Sequence, residues 1–236
     1  GCFCTFHAVA LVTAPARVEQ SMIFYIDLET TGLALSDDVV EIGVVEQDGG
    51  AIFSTVVCPT SFPTDPNVHC IEDSELAQGP AFPVAFERLC RFLQNSVDMA
   101  CKLGGKQLLD DAPTVVLAAH NGRPFDFPML LGSASRGAPS CYLAPFAQWV
   151  YVDTLAAFRC IGADITGGCA KLQCMARCAS DCNALRAHRA LDDAIALRSV
   201  VRCVACRLGV SPVAMLEKFF FTVDVSASLA HMSLLR

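Results

Sequence analysis

Phe24-Tyr25-Ile26-Asp27-Leu28-Glu29-Thr30-Thr31-Gly32 is an apolar, β-prone run that carries two carboxylates two positions apart. Side chains at i and i+2 of a strand leave the same face of a sheet, so Asp27 and Glu29 converge. Two like charges on a half-buried strand repel each other and lose hydration, a cost of several kcal/mol unless one is protonated or a cation lies between them. A divalent metal is the natural occupant. Hard oxygen ligands that leave open coordination positions suit Mg²⁺ or Mn²⁺ rather than zinc. An isolated Asp-x-Glu is equally the ordinary end of a strand with two solvated acids, so the reading depends on further carboxylates downstream.

Outward from this stretch, the pattern predicts a first strand from Met22, an Asp-rich turn at Ser36–Asp38, a second strand over Val39–Glu46 and a third over Ala51–Cys58. Asp48-Gly49-Gly50 supplies hairpin chemistry between the last two, so the sheet opens as an antiparallel meander. Pro59, Pro63 and Pro66 predict an extended loop to His69-Cys70-Ile71. Phe82, Phe86, Leu89 and Leu93 then recur at helical spacing within an amphipathic helix over about Ala81–Cys101. Thr114–Ala119 is a near-continuous apolar run of the kind buried on both faces of a sheet. It delivers His120-Asn121-Gly122-Arg123-Pro124-Phe125-Asp126-Phe127-Pro128 at its end. Pro128 suits the first turn of a helix, which puts Asp126 at a strand-to-helix junction, where open α/β sheets place ligand groups. Trp149–Val152 forms another strand, with Asp153 or Thr154 capping the helix that follows, and Lys171–Ala179 is helical.

The last strong element enters at His188. Ala190, Ala194, Leu197, Val201, Val204 and Leu208 form a buried stripe at helical spacing. Asp193 lies on its edge, whereas Asp192 is turned roughly 100° away, so Asp193 is the carboxylate aimed at the core. His188 shares a site with Asp193 if it still belongs to the loop leading in. From Gly209 onward little is expected beyond a short helix around Pro212–Phe221.

The chain of 236 residues is expected to form one main domain over residues 22–208, with residues 1–21 as an N-terminal extension and 209–236 as a C-terminal tail. It is 53% hydrophobic with a mean hydropathy of +0.46, yet Pro, Gly or charge interrupts every run short of the roughly 18 apolar residues a spanning helix needs. No membrane partner is expected. Residues 1–21 lack the positively charged start of a signal peptide. The net charge of −7 is unevenly placed: residues 1–117 hold 5 Lys+Arg against 16 Asp+Glu, and residues 118–236 hold 12 against 8. A protein gripping long duplex is expected to be basic, so nucleic-acid contact here is expected to be local, through the second half and bound metal. The 14 cysteines, among them Cys203-x-x-Cys206 and Cys174, Cys178 and Cys182 at every fourth position, are scattered through apparent strands and helices without a complete zinc pattern. They read mainly as small buried hydrophobes of a reducing, intracellular compartment, cytoplasmic or nuclear, with a zinc or redox role as the alternative.

Taken together, Asp27-x-Glu29-Thr30-Thr31-Gly32, His120-Asn121 through Asp126, and His188-x-Ala190-x-x-Asp193 closely resemble, in order, the three motifs of the DEDDh (DnaQ-like) superfamily of 3′→5′ exonucleases. The resemblance spans about residues 22–207. Within the family, Asn121-Gly122-Arg123-Pro124-Phe125-Asp126-Phe127-Pro128 is similar to the second motif of the three-prime repair exonucleases, which has one more residue between Asn and Asp than the bacterial proofreading subunit and continues with Phe-Pro. The chain departs from that subgroup in its Ala190-Leu191-Asp192 filling before Asp193 and in having no proline-rich insertion before Lys171.

The resemblance implies an α/β, ribonuclease H-like mixed sheet, an antiparallel meander followed by parallel strands, flanked by helices. It implies a two-metal phosphodiester hydrolase that uses two Mg²⁺ ions about 3.5–4 Å apart, with Mn²⁺ able to substitute, and releases nucleoside 5′-monophosphates from 3′ ends of DNA or RNA, preferably single-stranded DNA. In that scheme Asp27 bridges the metals, Glu29 and Asp193 complete the first site, and Asp126 serves the second. His188, with an ordinary pKa of about 6.5, takes the water's proton; its alternative is a helix-entry residue paired with Asp192. Thr30 to Leu33 would meet the terminal nucleotide with Leu33 on the base, or Leu33 is plain core. Asn121 contacts substrate or holds its loop. His69 matches a His-Gly-Ile element of the family, with Cys for Gly, and reads as structural. An RNA-trimming exoribonuclease, a non-catalytic nucleic-acid-binding protein and a homodimer are the further expectations.

Overall fold

Alternation along the first strand organises the molecule. In the computed structural model, which describes residues 21–48, 50–103, 112–137, 143–162, 164, 168–177, 179 and 189–234, β1 (Ser21–Thr30) turns Phe24, Ile26 and Leu28 to one buried layer and Ile23 and Tyr25 to the other. A strand covered on both faces needs an almost unbroken apolar run, which is what the opening stretch supplies. Asp27 and Glu29 continue the Ile23–Tyr25 row and so leave the same face.

β2 (Val39–Glu46) runs antiparallel to β1, and β3 (Ile52–Val56) antiparallel to β2. On the other side β4 (Thr114–Ala119) is parallel to β1, and β5 (Val150–Asp153) parallel to β4, giving the order β3-β2-β1-β4-β5. This is the ribonuclease H-like mixed sheet the motifs imply. A bulge interrupts the β1–β2 register between Glu29 and Thr30, re-aiming the chain just past the two acids.

Two short helices stand in the proline-rich loop that the sequence leaves extended: α1 (Pro66–His69) and α2 (Asp73–Leu76). Asp65 caps the first by accepting from the Asn67 N–H, and Pro66 starts it, so the prolines open a turn as well as breaking strands. His69 is fully buried. Its Nδ1 accepts from the Ile71 N–H at 3.2 Å, leaving Nε2 to donate to Thr64 Oγ1 at 3.1 Å. That is the structural role expected of it, and Cys70 behind it takes the left-handed conformation (φ 56°) that glycine adopts freely.

The Phe24 face packs against α3 (Phe82–Leu103), α4 (Asp126–Gly137) and α5 (Ala144–Gln148). The Ile23 face packs against α6 (Thr154–Ile161), α7 (Leu172–Ala176), α8 (Ala190–Leu208) and α9 (Pro212–Leu216). The predicted stripe of α8 is buried through Val204; Leu208 is exposed, because the helix ends in the left-handed Gly209 beyond its packed face. The segment after it contributes more than a short helix. Met215, Leu216, Phe220 and Phe221 are buried, and Tyr151 and Phe221 exchange two backbone hydrogen bonds of 2.8 and 3.0 Å before α10 (Val225–Leu234). Among the described residues no single helix is long and apolar enough to cross a membrane. The N-terminal extension expected over residues 1–21 lies outside the described residues except for Ser21.

Candidate active site

Asp27 and Glu29 face α8, and α8 is brought down onto them by the residue opposite Asp27. That residue is Gly43, the cross-strand partner of Asp27, and a Cβ built on it would stand 2.2 Å from the Ala190 carbonyl carbon and the Leu191 nitrogen. The helix backbone thus occupies the space of the missing side chain. Glu41, the partner of Glu29 on β2, fixes the helix start: its Oε2 accepts from the Ala190 N–H at 2.9 Å, and Arg189 closes on the same carboxylate at 2.9–3.2 Å while also reaching Glu75 at 2.8 Å. α8 lacks a side-chain cap of its own, so a carboxylate from the neighbouring strand satisfies its first N–H and meets its positive end.

In this arrangement carboxylate oxygens of Asp27, Glu29 and Asp193 lie within 4.8 Å of one another. Asp193 is buried and Asp192 partly exposed, as the helix-face argument predicts. Asp126 begins α4 and accepts a hydrogen bond from its own backbone N–H and another from that of Leu28. Register pairs of β4 with β1 stop at Tyr25, which leaves the β1 backbone beyond open to this carboxylate.

Burial raises the Asp27 carboxyl well above the usual range, and the charges of Asp126, Asp193, Glu29 and Glu41 add to the effect. Burial, followed by Asp193, Glu41 and Asp126, pushes Glu29 up to about 8 against a partial offset from Arg189. Burial likewise takes Asp126 to about 7 despite its two backbone donors. Three acids whose ionisation is opposed by burial, with Asp193 beside two of them, are an all-oxygen donor set that fits a hard divalent cation.

A cavity of about 630 Å³ opens on this cluster, lined by Asp27, Asp193, His120, Asn121, Arg159 and Lys171 among others. Asn121 is in the left-handed conformation (φ 67°), and Asp153 holds its loop by accepting from the backbone N–H groups of Asn121 at 3.1 Å and Arg123 at 3.3 Å while capping α6. His120 is hydrogen-bonded to Thr154 Oγ1 at 3.1 Å, and burial lowers its pKa. Thr30 is buried with its hydroxyl donated to the Gly32 carbonyl at 2.6 Å, so it shapes the turn after β1. Leu33 is 83% exposed, which removes the plain-core reading of this side chain. His188 lies outside the described residues.

Sequence reasoning missed Glu41, Gly43, Arg189, Arg159 and Lys171. The signal for the first two was present: a lone acid and a lone glycine inside the apolar run Val39-Val40-Glu41-Ile42-Gly43-Val44, positions that call for a buried partner and a close backbone approach.

No family model matches the chain. It is 30% identical over 212 residues to Exonuclease DPD1, chloroplastic/mitochondrial, of Arabidopsis thaliana, the match covering 86% of this chain and 62% of that protein. Its fold is similar to that of E. coli exonuclease I in complex with a dA16 oligonucleotide (TM-score 0.57, 14% identity, 79% of this chain and 41% of that one). The same enzyme in complex with a 5cy-dT13 oligonucleotide matches at a TM-score of 0.59 with 14% identity, over 80% of this chain and 42% of that one. The chain thus spans about three fifths of the curated relative and about two fifths of exonuclease I. Over most of its length the chain is thus similar in sequence to an exonuclease, and it shares the fold of exonuclease I.

Proposed function

We propose that the chain is a divalent-metal-dependent 3′→5′ exonuclease that removes nucleoside 5′-monophosphates from single-stranded DNA. The observation that carries the reading is the gathering of Asp27, Glu29 and Asp193 within 4.8 Å of one another beside a cavity that Asp27 and Asp193 line, with Asp126 hydrogen-bonded to the backbone between the first two. Asp27, Glu29 and Asp193 would hold one Mg²⁺, and Asp126 with Asp27 a second. When bound, such ions lower the pKa of water and neutralise charge on a phosphodiester.

The chain's own residues do the rest. His188, by its place in the third motif, takes the proton of the attacking water, and a histidine is suited to accept it near neutrality. The loop from Thr31 to Asp38 presents Leu33 to the terminal base, and the Asn121 loop, held by Asp153, lines the way in. A 3′ end held as a short single strand suits the acidic first half of the chain, and the exonuclease I structures are complexes with oligonucleotides. For compartment, the relative's chloroplastic/mitochondrial description makes an organelle the first place to look, beside the cytoplasm and nucleus expected from the cysteines.

Matched DNA and RNA oligonucleotides labelled at the 5′ end, digested with Mg²⁺ and resolved by size, test the proposal. A ladder shortening from the 3′ end, faster on DNA and abolished by EDTA, is expected. A ladder on RNA alone would replace this reading with an exoribonuclease, and binding without cleavage would leave a nucleic-acid-binding protein.

A further inference from the structure

Behind the Asn121 loop lies a second, smaller cavity of about 170 Å³. The loop and the first turn of α6 divide it from the cleft: Asn121 and Leu155 line the cleft, whereas Arg123 and Ala156 line the second cavity. Lys218, from the 3₁₀ turn Glu217–Phe219, and Phe221 contribute to its wall. At roughly 30 Å³ for each water of the liquid, the space holds about five or six heavy atoms, the size of one phosphate group rather than of a nucleotide.

The charge of this cavity is unbalanced. Arg123 and Lys218 are both exposed, and neither is ion-paired among the described residues. Asp153 is the one carboxylate among the described lining residues, and it is already engaged. It accepts from the backbone N–H groups of Asn121, Arg123, Leu155 and Ala156 at 3.0–3.4 Å. The Arg123 guanidinium stands 5.5 Å from the centre of the Phe221 ring, and that ring is buried, its backbone bonded to Tyr151 at the sheet edge. An arginine laid on a fixed ring loses less freedom when its N–H fork meets an anion.

We propose that Arg123 and Lys218 form a phosphate subsite that receives one backbone phosphate of a single strand whose 3′ end lies at the acids. The source of the phosphate rests on the exonuclease reading; the subsite itself rests on the two cations and the cavity. A strand that ends at Asp27 and Asp193 has to leave the cleft over one of its walls. Only Gly122 separates Asn121 in the cleft from Arg123 beyond it, so a strand leaving over this loop meets the second cavity at once. Contacts to backbone phosphate fix the register of a strand without reading its bases, so the subsite accepts any sequence.

Binding to the full chain, with Ca²⁺ in place of Mg²⁺, provides the test. Single-stranded DNA oligonucleotides of one sequence carry a single neutral methylphosphonate, moved linkage by linkage from the 3′ end. In the wild type, one linkage upstream of the terminal nucleotide is expected to cost about fivefold in affinity, the weight of an exposed ionic contact. Arg123→Gln and Lys218→Gln are each expected to weaken the unmodified strand by a similar factor and to make that linkage insensitive, leaving the other positions as they were. Together they are expected to lower the slope of log affinity against log salt by about 0.7, the share of one phosphate on a single strand. Lys218→Gln changes only an exposed side chain, so its fold is kept where Arg123→Gln loses the stacking on Phe221. Identical scans in the wild type and both variants overturn the subsite. A loss that is as large for deoxyadenosine 5′-monophosphate as for the strand overturns the strand assignment and makes this a site for free phosphate groups. Failure of the exonuclease reading is recognised separately, by absence of cleavage of the unmodified strand by the wild type in Mg²⁺.

Discussion

Gly43 lies across the ladder from Asp27, and the backbone of Ala190 stands where its side chain would be, 2.2 Å from an ideal Cβ. This contact sets how deeply α8 seats on the sheet, and with it the reach of Asp193. Gly43→Ala forces backbone to move, since no flexible side chain can yield. The expected cost is about 1–3 kcal/mol in stability from overpacking. If Asp193 serves turnover as proposed, displacing its carboxylate by about 1 Å is expected to lower kcat/KM about 100-fold. Thermal unfolding in EDTA and turnover with Mg²⁺ measure the two separately; a Gly43→Ala protein with full activity would show that the close approach does not position the site.

The acids are expected to oppose folding and serve turnover. Asp27→Asn, Glu29→Gln, Asp126→Asn and Asp193→Asn each remove one charge from a buried, mutually repelling set. Each is expected to keep or raise the melting temperature in EDTA while lowering turnover by more than about 100-fold, the upper end of what second-shell changes cost at metal sites. Asp192→Asn, on the partly exposed side of the helix, is expected to be far milder. An inactive Asp192→Asn beside an active Asp193→Asn would contradict the helix-face assignment.

Acidity and metal should act on stability in opposite directions. The folded-state pKa of Glu29, about 8, and of Asp126, about 7, lie above their ordinary values of 4.5 and 3.8. The folded protein therefore binds more protons than the unfolded chain across this window, and the groups' contribution, fully present below about pH 4, is lost as pH rises to about 8. Without metal, the wild type is expected to lose stability relative to Glu29→Gln as pH rises through that range. Because Mg²⁺ binds the ionised set, its stabilising effect should be larger at pH 8 than at pH 5. Melting curves of the two proteins, with EDTA or MgCl₂ at both pH values, decide this, and a Mg²⁺ shift that is the same at both would count against a carboxylate metal site.

Where the sequence speaks through periodicity, the structure agrees with it. The alternation in β1, the apolar run of β4 and the stripe of α8 each name a buried face, and those three faces bring Asp27, Glu29 and Asp193 together. What escaped reading depends on partners distant in the chain. Glu41 becomes a helix cap only because Ala190 is folded against it, and nothing in either local window announces the other. Residues 210–225 show no period because their contribution comes from one short helix, a 3₁₀ turn and a single bridge to Tyr151. Leu33 was ambiguous between base contact and core, since a leucine after a glycine turn reads the same in both cases; its exposure removes the core reading.

Leu33 is held out by a loop that has little freedom to move. Thr31 and Asp38 bind each other through two hydrogen bonds of 2.9 and 3.0 Å, and Arg136 on α4 donates to the carbonyls of Leu35 at 2.6 Å and Asp37 at 2.9 Å. An apolar side chain presented in this way gains by covering a base and loses nothing by leaving a core. Leu33→Ala is therefore expected to change stability by no more than about 0.5 kcal/mol, as for a surface substitution. It should weaken binding of a single-stranded oligonucleotide, measured with Ca²⁺ in place of Mg²⁺, by about tenfold, the value of roughly 1.5 kcal/mol of apolar burial. The salt dependence separates this from an ionic contact. Leu33→Ala removes no charge and should leave the slope of log affinity against log salt unchanged, whereas Lys171→Ala should reduce it by about 0.7, the share of one phosphate on a single strand. Equal slopes for the wild type and Lys171→Ala would remove Lys171 from the strand's path, and an unchanged affinity in Leu33→Ala would leave the exposed leucine without a part in binding.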